Sequence, residues 1–123
     1  MSKSKDNVVT IKETLEKYSA RQVRFLFLLH HWSSLMDYKE EDTWTEALRM
    51  EKQFSEFFKS MKDNTKKASV KDATQRWIEA DFTLQNEFLA RQRSVRAALC
   101  NSFDTCTAIQ ELASLVSSTN TYM

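Results

Sequence analysis

The chain has 123 residues, 18 Lys and Arg against 17 Asp and Glu, a net charge of +1, 28% charged residues and 41% apolar ones. Near charge balance excludes a global electrostatic pull toward nucleic acid, so any such surface must be a local patch, and no apolar run approaches the roughly 20 residues that span a bilayer. Glycine and proline are both absent, against usual usages of about 7% and 5%; because hairpins and sheet corners draw on these residues, the chain reads as all-α, with length for one real core.

Residues 1–9 form a polar, Ser- and Lys-rich start without the apolar stretch of a signal peptide. Taken alone, Met1-Ser2-Lys3-Ser4 is a solvated tail; two hydroxyls and an ammonium on a loop are also a plausible phosphate clamp. Thr10 offers an N-cap with Glu13 at capping-box spacing, and Ile11, Leu15 and Tyr18 repeat at helical period. A short helix is therefore expected over 11–18, with Ser19 capping the next. Arg21 to Met36 is expected as the central helix. Phe25 to Leu29 are consecutive apolar residues, a run too wide for one stripe of a surface helix, so neighbours should cover it on several sides. Trp32 and Leu35 continue its spacing.

Residues 35–43 read as a loop, with Asp42 or Thr43 capping a third helix that runs to about Lys62. Trp44, Ala47, Met50, Phe54, Phe57, Phe58 and Met61 form its apolar stripe. Residues 63–71 read as a loop, and Lys59, Lys62, Lys66, Lys67 and Lys71 make this region basic. A solvated loop explains these lysines, as does contact with an RNA backbone, which asks only for a nearby phosphate. Asp72 caps the expected fourth helix, which reaches about Cys100. Trp77, Ala80, Leu84, Phe88, Val95 and Leu99 share one face, and Ile78, Phe82 and Leu89 widen it toward a second neighbour. Arg91, Arg93 and Arg96 near its end suit a solvated face and the helix dipole. Asp104 or Thr105 caps the last helix, with Ala108, Ile109, Leu112, Leu115 and Val116 inward, fading at the Ser-Ser-Thr-Asn run.

Local chemistry is sparse. His30 and His31 are adjacent, hence about 100° apart on a helix, whereas a metal pair wants a spacing of four. Cys100 and Cys106 have no partner at zinc spacing and make no disulfide framework, which suits a reducing, cytoplasmic setting. Without glycine no glycine-rich phosphate loop is possible.

The Met1-Ser2-Lys3-Ser4 tetrapeptide nevertheless resembles the Lys-Met-Ser-Lys-Ser signature of class I aminoacyl-tRNA synthetases, and Asn7 to Ile11 resembles the linker after it. Tyr18 to Arg24, with His30, Trp32, Asp37 and Tyr38, is similar to the cysteinyl-tRNA synthetases of eukaryotic type. The resemblance continues through Ala47-Leu48, Glu51-Lys52, Phe54 and Glu56-Phe57-Phe58. It returns at Ala98-Leu99-Cys100, Asp104-Thr105, Glu111-Leu112 and Leu115-Val116-Ser117, and ends at Asn120 with Tyr122-Met123. It spans nearly the whole chain.

That resemblance implies an enzyme family joining cysteine to its tRNA with ATP. Lys3 then matches the signature's second Lys, which stabilises charge developing on the ATP phosphates, with Ser2 and Ser4 supporting the same ATP-binding loop. It implies a bundle of about five helices like the anticodon-binding-type helical domain of that class, over 11–123, behind a signature-and-linker remnant at 1–10. Arg21 and Arg24 meet the RNA or position their helix, and Lys66, Lys67 and Lys71 are candidate tRNA contacts. The family's first signature Lys is missing here. Its Rossmann catalytic domain, with the zinc ligands for the cysteine substrate, would lie upstream. The expectation is a C-terminal fragment, inactive alone and binding no ATP or zinc by itself. Its partners are the tRNA for cysteine and that Rossmann domain, with no membrane or DNA. A non-catalytic tRNA-binding bundle and a protein-interaction bundle are the alternatives.

Overall fold

A computed structural model describes residues 9–36, 40–68 and 76–123. Among these, five helices and no strand occur: α1 (Ile11–Lys17), α2 (Ala20–Leu28), α3 (Glu40–Ala68), α4 (Glu79–Cys100) and α5 (Thr105–Tyr122). The all-α reading holds, and two caps hold as anticipated. Thr10 Oγ1 accepts from the Glu13 amide at 3.2 Å, while the Glu13 carboxylate accepts from the Thr10 amide at 2.8 Å. Ser19 and Gln22 form the same reciprocal pair at the start of α2, at 3.3 and 2.9 Å. Each box satisfies amides that a helix start leaves without partners, and a cap of this kind is worth about 1 kcal/mol.

The second helix is shorter than its apolar pattern suggests. It ends at Leu28, with Leu29 as C-cap, and residues 30–36 leave the helix. His30 Nδ1 lies 2.8 Å from the Leu26 carbonyl oxygen. As an N–H donor, the ring occupies an acceptor that the last turn leaves open. The following segment is then tied across the fold, because the Trp32 indole N–H donates to the Ser102 carbonyl at 2.6 Å. Trp32 and Leu35 are exposed rather than continuing a buried stripe.

α3 departs the other way. It starts at Glu40, so Asp42 and Thr43 lie inside it rather than capping it, and it continues to Ala68 rather than stopping near Lys62. Residues 63–68 contain no glycine or proline, and polarity alone does not end a helix. Thr65 Oγ1 bonds back to the Met61 carbonyl at 2.8 Å, accommodating its hydroxyl within the helix. The expected cap Asp72 lies outside the described residues; α4 itself begins at Glu79, where the Ile78 amide donates to Asp81 Oδ2 at 2.7 Å. α5 does not fade at its Ser-Thr run. Ser114, Ser117, Ser118, Thr119 and Thr121 all return hydroxyl bonds to carbonyls one turn back, and the helix reaches Tyr122.

Packing has no single hub: α2 meets α1, α3 and α5, and α5 meets α2, α3 and α4. α2 lies on the first half of α3 and α5 on its middle, whereas α4 touches only α5 among the described elements. Leu26, Trp44 and Ala47 form one buried cluster; Met50, Phe54, Ala113 and Val116 form the other; Phe25 and Leu29 pack against both. The anticipated stripe on α3 therefore holds through Phe57, which packs partly buried against the second cluster, but Phe58 is 60% exposed. Phe27 is likewise exposed, because it falls about 100° from Leu26 on a helix covered on one side. Tyr18 stacks face to face on Trp44, with ring centroids 3.7 Å apart, fixing the α1–α2 junction to α3. Ala98 on α4 and Ala108 on α5, two helices that pair with each other, are also buried. Of the anticipated α5 face, Leu112 remains partly exposed.

Asp104 caps α5, accepting from the Thr107 amide at 3.0 Å. The reversal before it is built without glycine: Ser102 and Phe103 take φ of 52° and 55°. Non-glycine residues in this left-handed region cost about 1–2 kcal/mol each. The Asp104 amide bonds back to the Ala98 carbonyl at 3.1 Å and helps hold the turn.

Leu26→Ala should lower unfolding free energy by about 2–5 kcal/mol in urea titration, whereas Phe27→Ala should change it by no more than about 0.5 kcal/mol. Equal losses would contradict the one-sided covering of α2.

Candidate nucleic-acid interface

The basic residues picked from the sequence separate in space. Arg21 places Nε 3.5 Å from Glu51 Oε1, so one of its roles is to fasten α2 to α3. Arg24 is exposed and makes no ion pair among the described residues. Lys66 sits exposed on α3, and Lys67 belongs to the same helix. Lys71, Ser2, Lys3 and Ser4 lie outside the described residues.

The basic stretch is thus in large part helical rather than a loop. Lys59, Lys62 and Lys66 follow at spacings of 3 and 4 on exposed turns of α3, so they share an arc of about 60°. None has an ion-pair partner among the described residues, unlike Lys52, which approaches Glu56 at 3.9 Å. Arg91 is different again. Its guanidinium reaches Glu111 at 2.8 Å and Glu87 at 3.5 Å, and Glu87 also accepts from Ser118 at 2.7 Å. That network holds α4 to α5, and the two carboxylates keep the arginine charge especially secure, Glu111 foremost. Arg93 and Arg96 remain exposed.

Other candidate chemistry stays structural. His31 Nδ1 is 2.7 Å from Ser33 Oγ. Cys100 and Cys106 are free thiols, and burial, then the nearby Asp104 carboxylate, push the Cys106 thiol up, which disfavours its thiolate. Among the described residues no group of three or more His, Cys, Asp or Glu side chains is placed to hold a metal ion.

Two further surface features lie at the ends of the bundle. At one end of the bundle, Phe27, Trp32, Leu35, Leu99 and Phe103 are all exposed, and grooves of about 540 and 720 Å³ share Phe103 as a wall. At the other end, a groove of about 380 Å³ opens between the start of α4 and the end of α5, lined by Arg76, Trp77, Asp81, Leu84, Gln85, Phe88 and Tyr122. Trp77, expected in the core, is 58% exposed and rests against Phe82 with ring centroids 5.2 Å apart. Ile78, Phe82 and Leu89 also stay exposed, because no second neighbour covers that face of α4 among the described elements. The Tyr122 hydroxyl donates to Asp81 Oδ1, and Asn64 Nδ2 donates to Met123 Sδ at 3.0 Å, so the end of α5 joins the start of α4 to the last turns of α3. The adjacent Arg76-Trp77 pair was the available sequence signal, obscured by assigning both to a helix begun at Asp72.

Comparison with known proteins finds relatives for the whole chain. Residues 1–49 match the family model described as tRNA synthetases class I (C) catalytic domain. Over its full length the chain is 40% identical to a cytoplasmic cysteine–tRNA ligase of Drosophila pseudoobscura pseudoobscura, and 39% identical to that of Homo sapiens, covering 17% and 16% of those proteins. The chain is therefore similar, over its first 49 residues, to class I aminoacyl-tRNA synthetases. Along its whole length it is similar to cysteine–tRNA ligases, and it spans about a sixth of the length of the curated relatives it matches.

Asp81 offers a pH test of the second groove. The Tyr122 hydroxyl first, and then the Ile78 amide, hold its carboxyl below the usual aspartate range. The associated stability is present above the unfolded aspartate value and is lost as pH falls through the lower folded one. Amide exchange measured by NMR in the first turn of α4, corrected for intrinsic rates, should gain protection as pH rises through that range. Asp81→Asn should flatten the change.

Proposed function

We propose that this chain is the portion of a cysteine–tRNA ligase that carries the end of the signature loop and a tRNA-docking helical bundle, with ATP-dependent ligation of cysteine performed by the whole enzyme in the cytoplasm. The observation that carries this reading is identity of about 40% across every residue of the chain to cytoplasmic cysteine–tRNA ligases. Lys3 would stabilise charge building on the ATP phosphates, with Ser2 and Ser4 supporting its loop. Zinc, in this reading, holds the cysteine substrate within the catalytic module, outside the described helices.

The bundle's two exposed features fit two docking partners. Phe27, Trp32, Leu35 and Phe103 make an apolar end of the kind that packs on another protein module, and Phe27, Trp32 and Leu35 fall within the segment similar to a catalytic domain. That end rests on the catalytic module. Lys59, Lys62 and Lys66 line an edge suited to phosphates, with Lys67 and Lys71 following in the sequence as further candidate contacts, and Arg24 adds a cation on α2; Arg21 contributes chiefly by holding α2 on α3. The lysines without carboxylate partners also favour a second reading, an RNA-binding bundle with no catalytic role.

Filter binding of a cysteine tRNA transcript across a salt series tests the docking role. The combined Lys59→Ala, Lys62→Ala and Lys66→Ala variant should make the log–log salt dependence shallower by about 2–3. Affinity that ignores salt, or an unchanged slope, would remove these lysines from the interface. Cysteine-dependent ATP–pyrophosphate exchange separates the two readings: the chain alone should show none, and mixing it with the catalytic module should raise that module's exchange only under the first.

A further inference from the structure

We propose that Trp32 and the Asn101–Asp104 turn form a strain-loaded latch, closed in this structure, whose opening turns Phe103 out of the wall between the two apolar grooves. The Trp32 indole N–H donates to the Ser102 carbonyl at 2.6 Å, across seventy positions of sequence. At the point of attachment Ser102 and Phe103 hold φ of 52° and 55°. Such angles suit glycine, and a bulky side chain there is strained. The chain contains no glycine to relieve it.

The two halves of the latch differ in stiffness. Residues 30–36 carry a compact turn of their own. The Ser33 amide donates to His31 Nδ1 at 3.3 Å, the Ser33 hydroxyl lies 2.7 Å from the same nitrogen, and the Ser34 amide donates to the His31 carbonyl at 3.0 Å. The His31 ring stacks on the indole with centroids 5.6 Å apart, so the donor stays aimed with or without its acceptor. The 101–104 turn is the yielding half. Its far end is fixed, because the Asp104 amide bonds the Ala98 carbonyl at 3.1 Å and the Asp104 side chain caps α5. The Phe103 amide reaches the Leu99 carbonyl at 3.3 Å, the longer contact and the one that gives way with Ser102. A neutral hydrogen bond near the surface is worth about as much as left-handed strain at one or two residues. The closed and open arrangements therefore lie close in free energy, and a contact at either groove decides between them.

Phe103 gives the latch its consequence. It walls both the groove of about 540 Å³, lined also by Phe27, Met36 and Thr105, and the groove of about 720 Å³, lined also by Val95 and Leu99. Returning Ser102 and Phe103 to negative φ swings the ring away and joins the two into one trough from α2 to the last turn of α4. Closed, the latch ties residues 30–36 to the α4–α5 pair. Open, it leaves α4 with α5 as its packing element among those described. The latch is a property of this chain by itself and holds whether or not the docking roles above do.

The test is NMR spectroscopy of the full chain. Trp32→Phe keeps an aromatic ring and removes the N–H donor. It should move the one-bond Cα–Hα couplings of Ser102 and Phe103 from positive-φ toward negative-φ values, with amide protection in α2 and α3 unchanged. Ser102→Gly removes strain and keeps the acceptor, which is a backbone carbonyl. Exchange of the Trp32 indole proton with deuterium oxide should then slow by about 5- to 30-fold, the factor that matches left-handed strain at one residue. Couplings that stay at positive-φ values in Trp32→Phe would mean that the turn holds itself, and would overturn the latch. Indole exchange unchanged or faster in Ser102→Gly would mean that no strain opposes the bond, with the same result. Ser102→Gly leaves every core contact in place, so it decides the question even where Trp32→Phe does not fold.

Discussion

Leu26 and Tyr18 seated against Trp44 and Ala47 are the contact on which the other elements depend. α2 has only nine residues, and helices that short are marginal in water without tertiary support. It persists because Ser19 starts it cleanly and because α3 buries Leu26 to 2% exposure. Phe25 and Leu29 then reach past this cluster to the second one, where Phe25 meets Phe54 with ring centroids 5.7 Å apart. The two halves of the core are thereby linked through the side chains of one short helix lying on the long one.

Helix starts were easier to read than helix ends. Thr10, Ser19 and Asp104 cap by side-chain chemistry within three residues, so residue type and spacing suffice to locate them. The end of α2 depends on His30 capturing the Leu26 carbonyl and on Trp32 reaching Ser102, seventy positions away. That second contact cannot be seen in any local window. The ends of α3 and α5 were placed too early for a related reason: polar residues stood in for breakers, yet Thr65 and the Ser-Thr run of α5 turn their hydroxyls back onto the helix.

The functional surface divides similarly. The resemblance to cysteine–tRNA ligases was legible because it rests on the order of many short motifs, and the comparisons find that similarity along the whole chain. The basic region was legible as composition but not as a helical edge, since that requires α3 to run on to Ala68. Trp77, Phe82 and Leu89 were assigned inward because apolar residues at helical spacing ordinarily face a neighbour. Their exposure follows from α4 having α5 as its sole packing element among those described.

That asymmetry has a dynamic consequence. A helix held from one side can detach as a cooperative unit while the α2–α3 cluster stays intact, so sub-global opening at α4 costs less than complete unfolding. The Arg91–Glu111 and Tyr122–Asp81 bonds then act as clasps at successive points along the seam. Any ligand that bridges α4 and α5 selects the closed arrangement, and the energy of that closing is subtracted from its apparent affinity.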